Sequence, residues 1–136
     1  MKRQHYLLFR ILTSLIFLYA GFGHLVQPTK ILGKLSKAYL YTLMPGGSFA
    51  TIVIIMSGLV MLVAGLMLAA GFQVKKAAII LLAVLIPITL SVQLDNLNDL
   101  GPFFKNVAIA GSLLFIINYK SYETKTPVVS SNNPIH

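Results

Sequence analysis

The stretch LLFRILTSLIFLYAGFGHLV, residues 7–26, decides the class of this chain. It holds twenty residues with one cation near its start and one histidine near its end. An apolar run of that length matches the hydrocarbon thickness of a bilayer, whereas a core helix of a small soluble domain is shorter and striped. Three further runs follow: Ala50–Gly71, Ala77–Leu94 and Phe103–Tyr119. The chain has 136 residues, 57% hydrophobic and only 10% charged, with a mean hydropathy of +0.82. So few charges cannot clothe a soluble domain of this size. The reading is an all-α integral membrane four-helix bundle, one domain over residues 1–122, with a polar tail over 123–136 expected to be disordered.

The net charge of +8 does not point to nucleic acid. The basic residues stand between apolar runs, where membrane topology and anionic head groups account for them. Cys is absent, which excludes disulfide or thiol redox chemistry and Cys-ligated metals. The basic start MKRQHY resembles a secretory leader, but the run is long for one and carries Arg10 inside it. A retained span is therefore the preferred reading. Lys2, Arg3, Arg10, Lys75, Lys76, Lys120 and Lys125 fall on one side of a four-span chain; Lys30, Lys34, Lys37 and Lys105 fall on the other. That balance favours cytoplasmic termini.

The first loop, from Pro28 to Gly47, opens on Pro-Thr and ends on Pro45-Gly46-Gly47. Helical spacing collects Lys30, Lys34 and Lys37 on one face and turns Leu32, Leu35 and Tyr39 away. It reads as a short amphipathic helix on the outer membrane surface, between the first and second spans.

Polar residues within the first span also share a face. Arg10, Thr13, Phe17, Ala20 and His24 recur at steps of three and four, with Ser14 and Gly21 beside them. In lipid such a face turns toward other helices. Arg10 can snorkel to the inner surface; His24, about 21 Å away along the axis, belongs to the outer end. Ser57, Gly58, Ala64, Gly65 and Gly71 make a packing stripe in the second span, and Pro87 interrupts the third.

The chain leaves the first and third spans on the same side. His24 therefore shares an end with Gln93, Asp95 and Asp99, and with Lys105 and Asn106 of the fourth span. Apart from Glu123, the acids all lie in this loop, LDNLNDLGPFFKN, residues 94–106. These six residues form the candidate polar cluster or binding site. Each also has a bland role: Asp99 as a cap to the fourth helix, Asp95 as a surface partner of a lysine, His24 as a helix stop. No Walker loop, G-x-S-x-G, H-E-x-x-H or dinucleotide fingerprint is present. No catalytic residue and no metal site is expected, and the one haem ligation left open pairs His24 with Met56.

Three segments carry a family resemblance: LFRILTSLIFLYAGFGHLVQPTKI, GLVMLVAGLMLAAGF and LGPFFKNVAIAGSLLFI. They share an Ala-Gly-x-x-basic-Leu end to the first span and a Gly-Leu-x5-Gly-Leu second span, with Lys-Asn opening the fourth. Together, over Arg10 to Ile117, they resemble the DoxX family of small four-helix membrane proteins. The resemblance implies a bacterial inner-membrane protein, some of whose relatives are subunits of quinone-linked oxidoreductases. It sets His24 where many members have Lys, matches Gly58, Gly65, Lys105 and Asn106, and departs at Met61, where many members carry Glu. That departure argues against autonomous catalysis.

The leading expectation is an accessory or scaffolding subunit of a redox or envelope complex, with no cofactor of its own. It would sit in the lipid bilayer and dock a membrane or peripheral protein partner through its outer polar end. The alternative is a quinone- or lipid-handling oxidoreductase component, with His24 and Asp95 or Asp99 exchanging protons. A small-solute transporter is weaker, since no span carries a mid-membrane acid.

Overall fold

The computed structural model describes residues 3–37, 39–43, 45–93 and 100–123. It contains helices α1 (Arg3–Val26), α2 (Pro28–Leu35), α3 (Gly47–Ala70), α4 (Val74–Gln93) and α5 (Gly101–Glu123), with a 3-10 turn over Tyr39–Leu43. α1, α3, α4 and α5 are long and apolar enough to cross a bilayer. The chain is a multi-pass membrane protein. Each spanning helix begins two to four residues before the apolar run that announces it, because a helix extends through a polar first turn that hydropathy does not register.

Chain reversals follow from proline and glycine. Pro28 cannot continue the hydrogen bonding of α1, so it starts α2 at its first turn. Gly71 ends α3 at φ +84°, a left-handed conformation that side chains disfavour; its N–H and that of Phe72 both close on the carbonyl of Met67. Only Gly71, Phe72 and Gln73 separate α3 from α4, so the two are antiparallel neighbours.

α2 packs on α3 and α1 with Leu32 and Leu35 half-buried and Lys30 and Lys34 exposed, as amphipathic spacing requires. It is shorter than the sequence suggests. Ser36 turns its hydroxyl back onto the Gly33 carbonyl, and Lys37 stands in the turn beyond the helix. The tail from 124 onward lies outside the described residues.

In space the spans run α1, α3, α4, α5, with α5 meeting α1 lightly. That last contact is aromatic: Tyr6 stacks on Tyr119 at 4.3 Å between ring centroids, and Phe9 meets Phe115 edge-on at 5.5 Å. It ties the start of α1 to the end of α5. Phe17, Met61, Leu68, Leu81, Leu113 and Ile116 fill the centre of the bundle. Most leucine, isoleucine and valine side chains on the opposite faces are exposed, which suits surfaces solvated by lipid.

The tightest contact lies between α1 and α3. A Cβ placed on Gly21 would stand 2.8 Å from the Gly58 carbonyl oxygen, and one on Gly58 would stand 2.7 Å from the Cβ of His24. Neither neighbour is a flexible side-chain end. In a bilayer, where lipid tails are as apolar as leucine, such close approach supplies dispersion contacts that bulkier residues would forbid. Replacing Gly58 with Ala should therefore cost about 1–3 kcal/mol of stability. Gly111→Ala, whose new Cβ would meet nothing within 4 Å, should be neutral or stabilising. Thermal unfolding of both variants in one detergent checks this; equal melting temperatures would contradict it.

Candidate functional site

The polar stripe of α1 faces inward. Thr13, Ser14, Phe17 and Gly21 are buried, and the hydroxyls of Thr13 and Ser14 close on the carbonyls of Phe9 and Ile11 at 2.9 and 2.7 Å. His24, half-buried at the end of the stripe, meets Ser57 of α3, with Nδ1 2.9 Å from Oγ.

The direction of that bond can be derived. Ser57 has one hydroxyl hydrogen, and it points to the Ile54 carbonyl at 2.7 Å. The hydroxyl oxygen is then left to accept, so His24 Nδ1–H donates. A neutral His24 thereby holds its hydrogen on Nδ1 and presents Nε2 as a bare acceptor. Ser57, which reads in the sequence as part of a packing stripe, is the partner that sets this arrangement. Sequence spacing within α3 could not reveal it, because the register between α1 and α3 is a tertiary property.

That register also corrects the depth of His24. The histidine ends α1, but Ser57 lies ten residues inside α3, which begins at Gly47. The ring therefore sits about 15 Å along α3 from its N-terminal end.

A second polar pair forms between α5 and α4. Asn106 Nδ2 donates to Thr89 Oγ1 at 3.1 Å, and the Thr89 hydroxyl continues to the Leu85 carbonyl at 2.7 Å. Lys105 is exposed beside it. Gln93 is the last residue of α4, and its side chain lies outside the described residues, as do Asp95 and Asp99 altogether. Of the six residues of the expected cluster, His24 and Asn106 thus have described partners. Those partners are on different helix pairs, and among the described residues no hydrogen bond joins the two. Met56 turns outward at 54% exposure, so it does not oppose His24 as a haem ligand would.

At the N-terminal end of α1, Arg10 does more than reach the surface. Its Nη2 donates to the Ala69 carbonyl at 3.3 Å, and its guanidinium stands 5.9 Å from the Tyr6 ring centroid. A Cβ on Gly71 would come within 2.9 Å of both terminal nitrogens. Arg10 thereby places a cation against the negative end of α3, where the last carbonyls lack intrahelical donors.

Four apolar spanning helices, one basic surface helix and polar groups that pair helix to helix define a small integral membrane bundle. The DoxX family model matches residues 5–94, from α1 through α4. The chain belongs to the DoxX family. The match stops before α5, so the expected correspondence at Lys105 and Asn106 falls beyond it. No curated protein and no solved structure matches the chain.

If His24 and Ser57 join α1 to α3, their contributions to stability must be coupled. A double-mutant cycle with His24→Ala and Ser57→Ala, read by unfolding in detergent, should give a coupling of about 0.6–1.7 kcal/mol. Additive single changes would contradict the contact.

Proposed function

We propose that this chain is an accessory or scaffolding subunit of a redox or envelope complex in the bacterial inner membrane, with both termini cytoplasmic. One observation supports this reading above the others. Met61, at the position where many family members carry Glu, is 4% exposed within an apolar cluster that includes Phe17, Ala64 and Leu68. Among the described residues, the apolar cluster around Met61 holds no carboxylate to move a proton or polarise a substrate. The polar groups nearby serve helix pairing instead.

What the chain offers outward is α2. Lys30 and Lys34, with Lys37 just beyond, are exposed at the outer end, and none has an ion-pair partner among the described residues. This surface would hold an acidic face of a membrane or peripheral partner, a contact weakened by salt.

A second reading keeps one observation of its own. With Nδ1 committed to Ser57, the free Nε2 of His24 is suited to accept a proton from a quinol hydroxyl. Titration of the purified protein with the reduced quinol separates the two readings. The accessory role predicts a flat response; saturable binding that His24→Phe removes would favour the second.

The accessory role further predicts a stoichiometric complex after purification from native membranes in mild detergent. Changing Lys30, Lys34 and Lys37 together to Gln should reduce its yield at least several-fold while leaving the subunit folded. An isolated protein from both preparations would contradict the proposal.

A further inference from the structure

Among the described side chains, every Ser, Thr and Asn lying more than one turn inside a span has an acceptor within the chain. The hydroxyls of Thr51, Ser91 and Ser112 reach carbonyls one turn back at 2.6–3.0 Å, and the amide of Asn118 does so at 2.9 Å. Tyr19 breaks this rule. It is 84% exposed, and its phenol has no partner among the described residues.

Its depth makes this unusual. Tyr19 stands seven residues, about 10 Å, inside the outer end of α1 at Val26. Leu18 beside it packs on Gly65, five residues short of the inner end of α3. The phenol therefore leaves the bundle about 10 Å from the end of α1 at Val26 and about 7.5 Å from the end of α3 at Ala70, on a face that reads as lipid-exposed. Tyrosine ordinarily occupies the interfacial belts, and a bare hydroxyl in hydrocarbon carries a desolvation cost with no return.

Leu12, Leu15 and Phe22 flank Tyr19 at steps of three and four, and all are more than half exposed. Together they make an apolar seam with one polar group at its centre. A phenol both donates and accepts, so it is complementary to itself. Two copies related by a two-fold axis along the membrane normal bring each seam residue against its equivalent. Tyr19 then meets Tyr19 of the other copy, and the phenols hydrogen-bond across the axis. A foreign helix would need a polar group at one matching depth; a second copy supplies it by symmetry.

We propose that the outer face of α1 is the seam of a parallel homodimer centred on a Tyr19–Tyr19 hydrogen bond. The surface is separate from the α2 lysines, so the dimer stands or falls independently of the accessory role.

The absence of cysteine allows a clean test with the full chain in lipid vesicles. Single replacements Leu15→Cys and Phe22→Cys should give disulfide-linked dimers under mild oxidation. Val63→Cys, 57% exposed on the lipid face of α3, should not exceed the background of random collision. In the Cys-free chain, dilution into excess lipid should show a reversible dimer. Tyr19→Phe, which keeps the ring and the fold, should weaken it about threefold, the average worth of an interhelical hydrogen bond in a bilayer. Cross-linking at positions 15 and 22 no greater than at 63, a monomer at all dilutions, or a Tyr19→Phe dimer of unchanged strength would each overturn the proposal. So would a different protein found to cover this face in place of a second copy.

Discussion

The bundle depends on how closely α1 approaches α3. Neither helix gains from burying leucine, because lipid solvates leucine as well as a neighbouring helix does. What a bilayer leaves available is contact at short range and hydrogen bonding without water as competitor. Gly21 and Gly58 supply the first by bringing backbone to backbone. His24–Ser57 and Arg10–Ala69 supply the second at the two ends of the same seam. With α1 fixed against α3, the three-residue turn at Gly71–Gln73 places α4, and α4, whose Ala77, Ala78 and Leu81 are buried, packs in turn against α5.

The same seam explains why polarity inside this protein is not evidence of catalysis by itself. Thr13, Ser14, Ser57 and Thr89 are each satisfied within one turn of where they stand, and Asn106 is satisfied by Thr89 on the neighbouring helix. A membrane interior enforces this, since an unpaired polar group has nothing else to bond to. Three polar atoms of the described spans stand out against that background, one of them the buried Nε of Arg10, which has no partner among the described residues. The Nε2 of His24 is left bare by the bond its other nitrogen makes, and the phenol of Tyr19 projects away from the bundle altogether.

Much of this fold could be read directly. Length and apolarity announce four spans, and steps of three and four place Thr13, Phe17 and Gly21 on the buried face of α1. Pro28 and Gly71 mark their chain reversals because each acts through its own backbone. The candidate site was less legible. That His24 and Asn106 belong toward the same side of the bundle follows from counting spans. Which residue each one meets depends on the register between helices distant in sequence, and small residues at Gly58 and Gly65 specify closeness without specifying depth. Ser57 therefore looked like packing, and Arg10 looked like a residue reaching for water when it also caps α3. The exposure of Tyr19 was hidden for the same reason: a helical wheel gives the angle of a residue but not which face its neighbours leave open.

The most direct test of this account is the protonation pattern of one imidazole. Nitrogen-15 solid-state NMR of the protein in lipid, at a pH where the ring is neutral, reports which nitrogen of His24 carries the hydrogen and which hydroxyl lies nearby. The α1–α3 seam described above predicts hydrogen on Nδ1, with a short contact to Ser57. Hydrogen on Nε2, or an imidazole exchanging between both forms with no Ser57 contact, would contradict the register on which the rest of the structure is built.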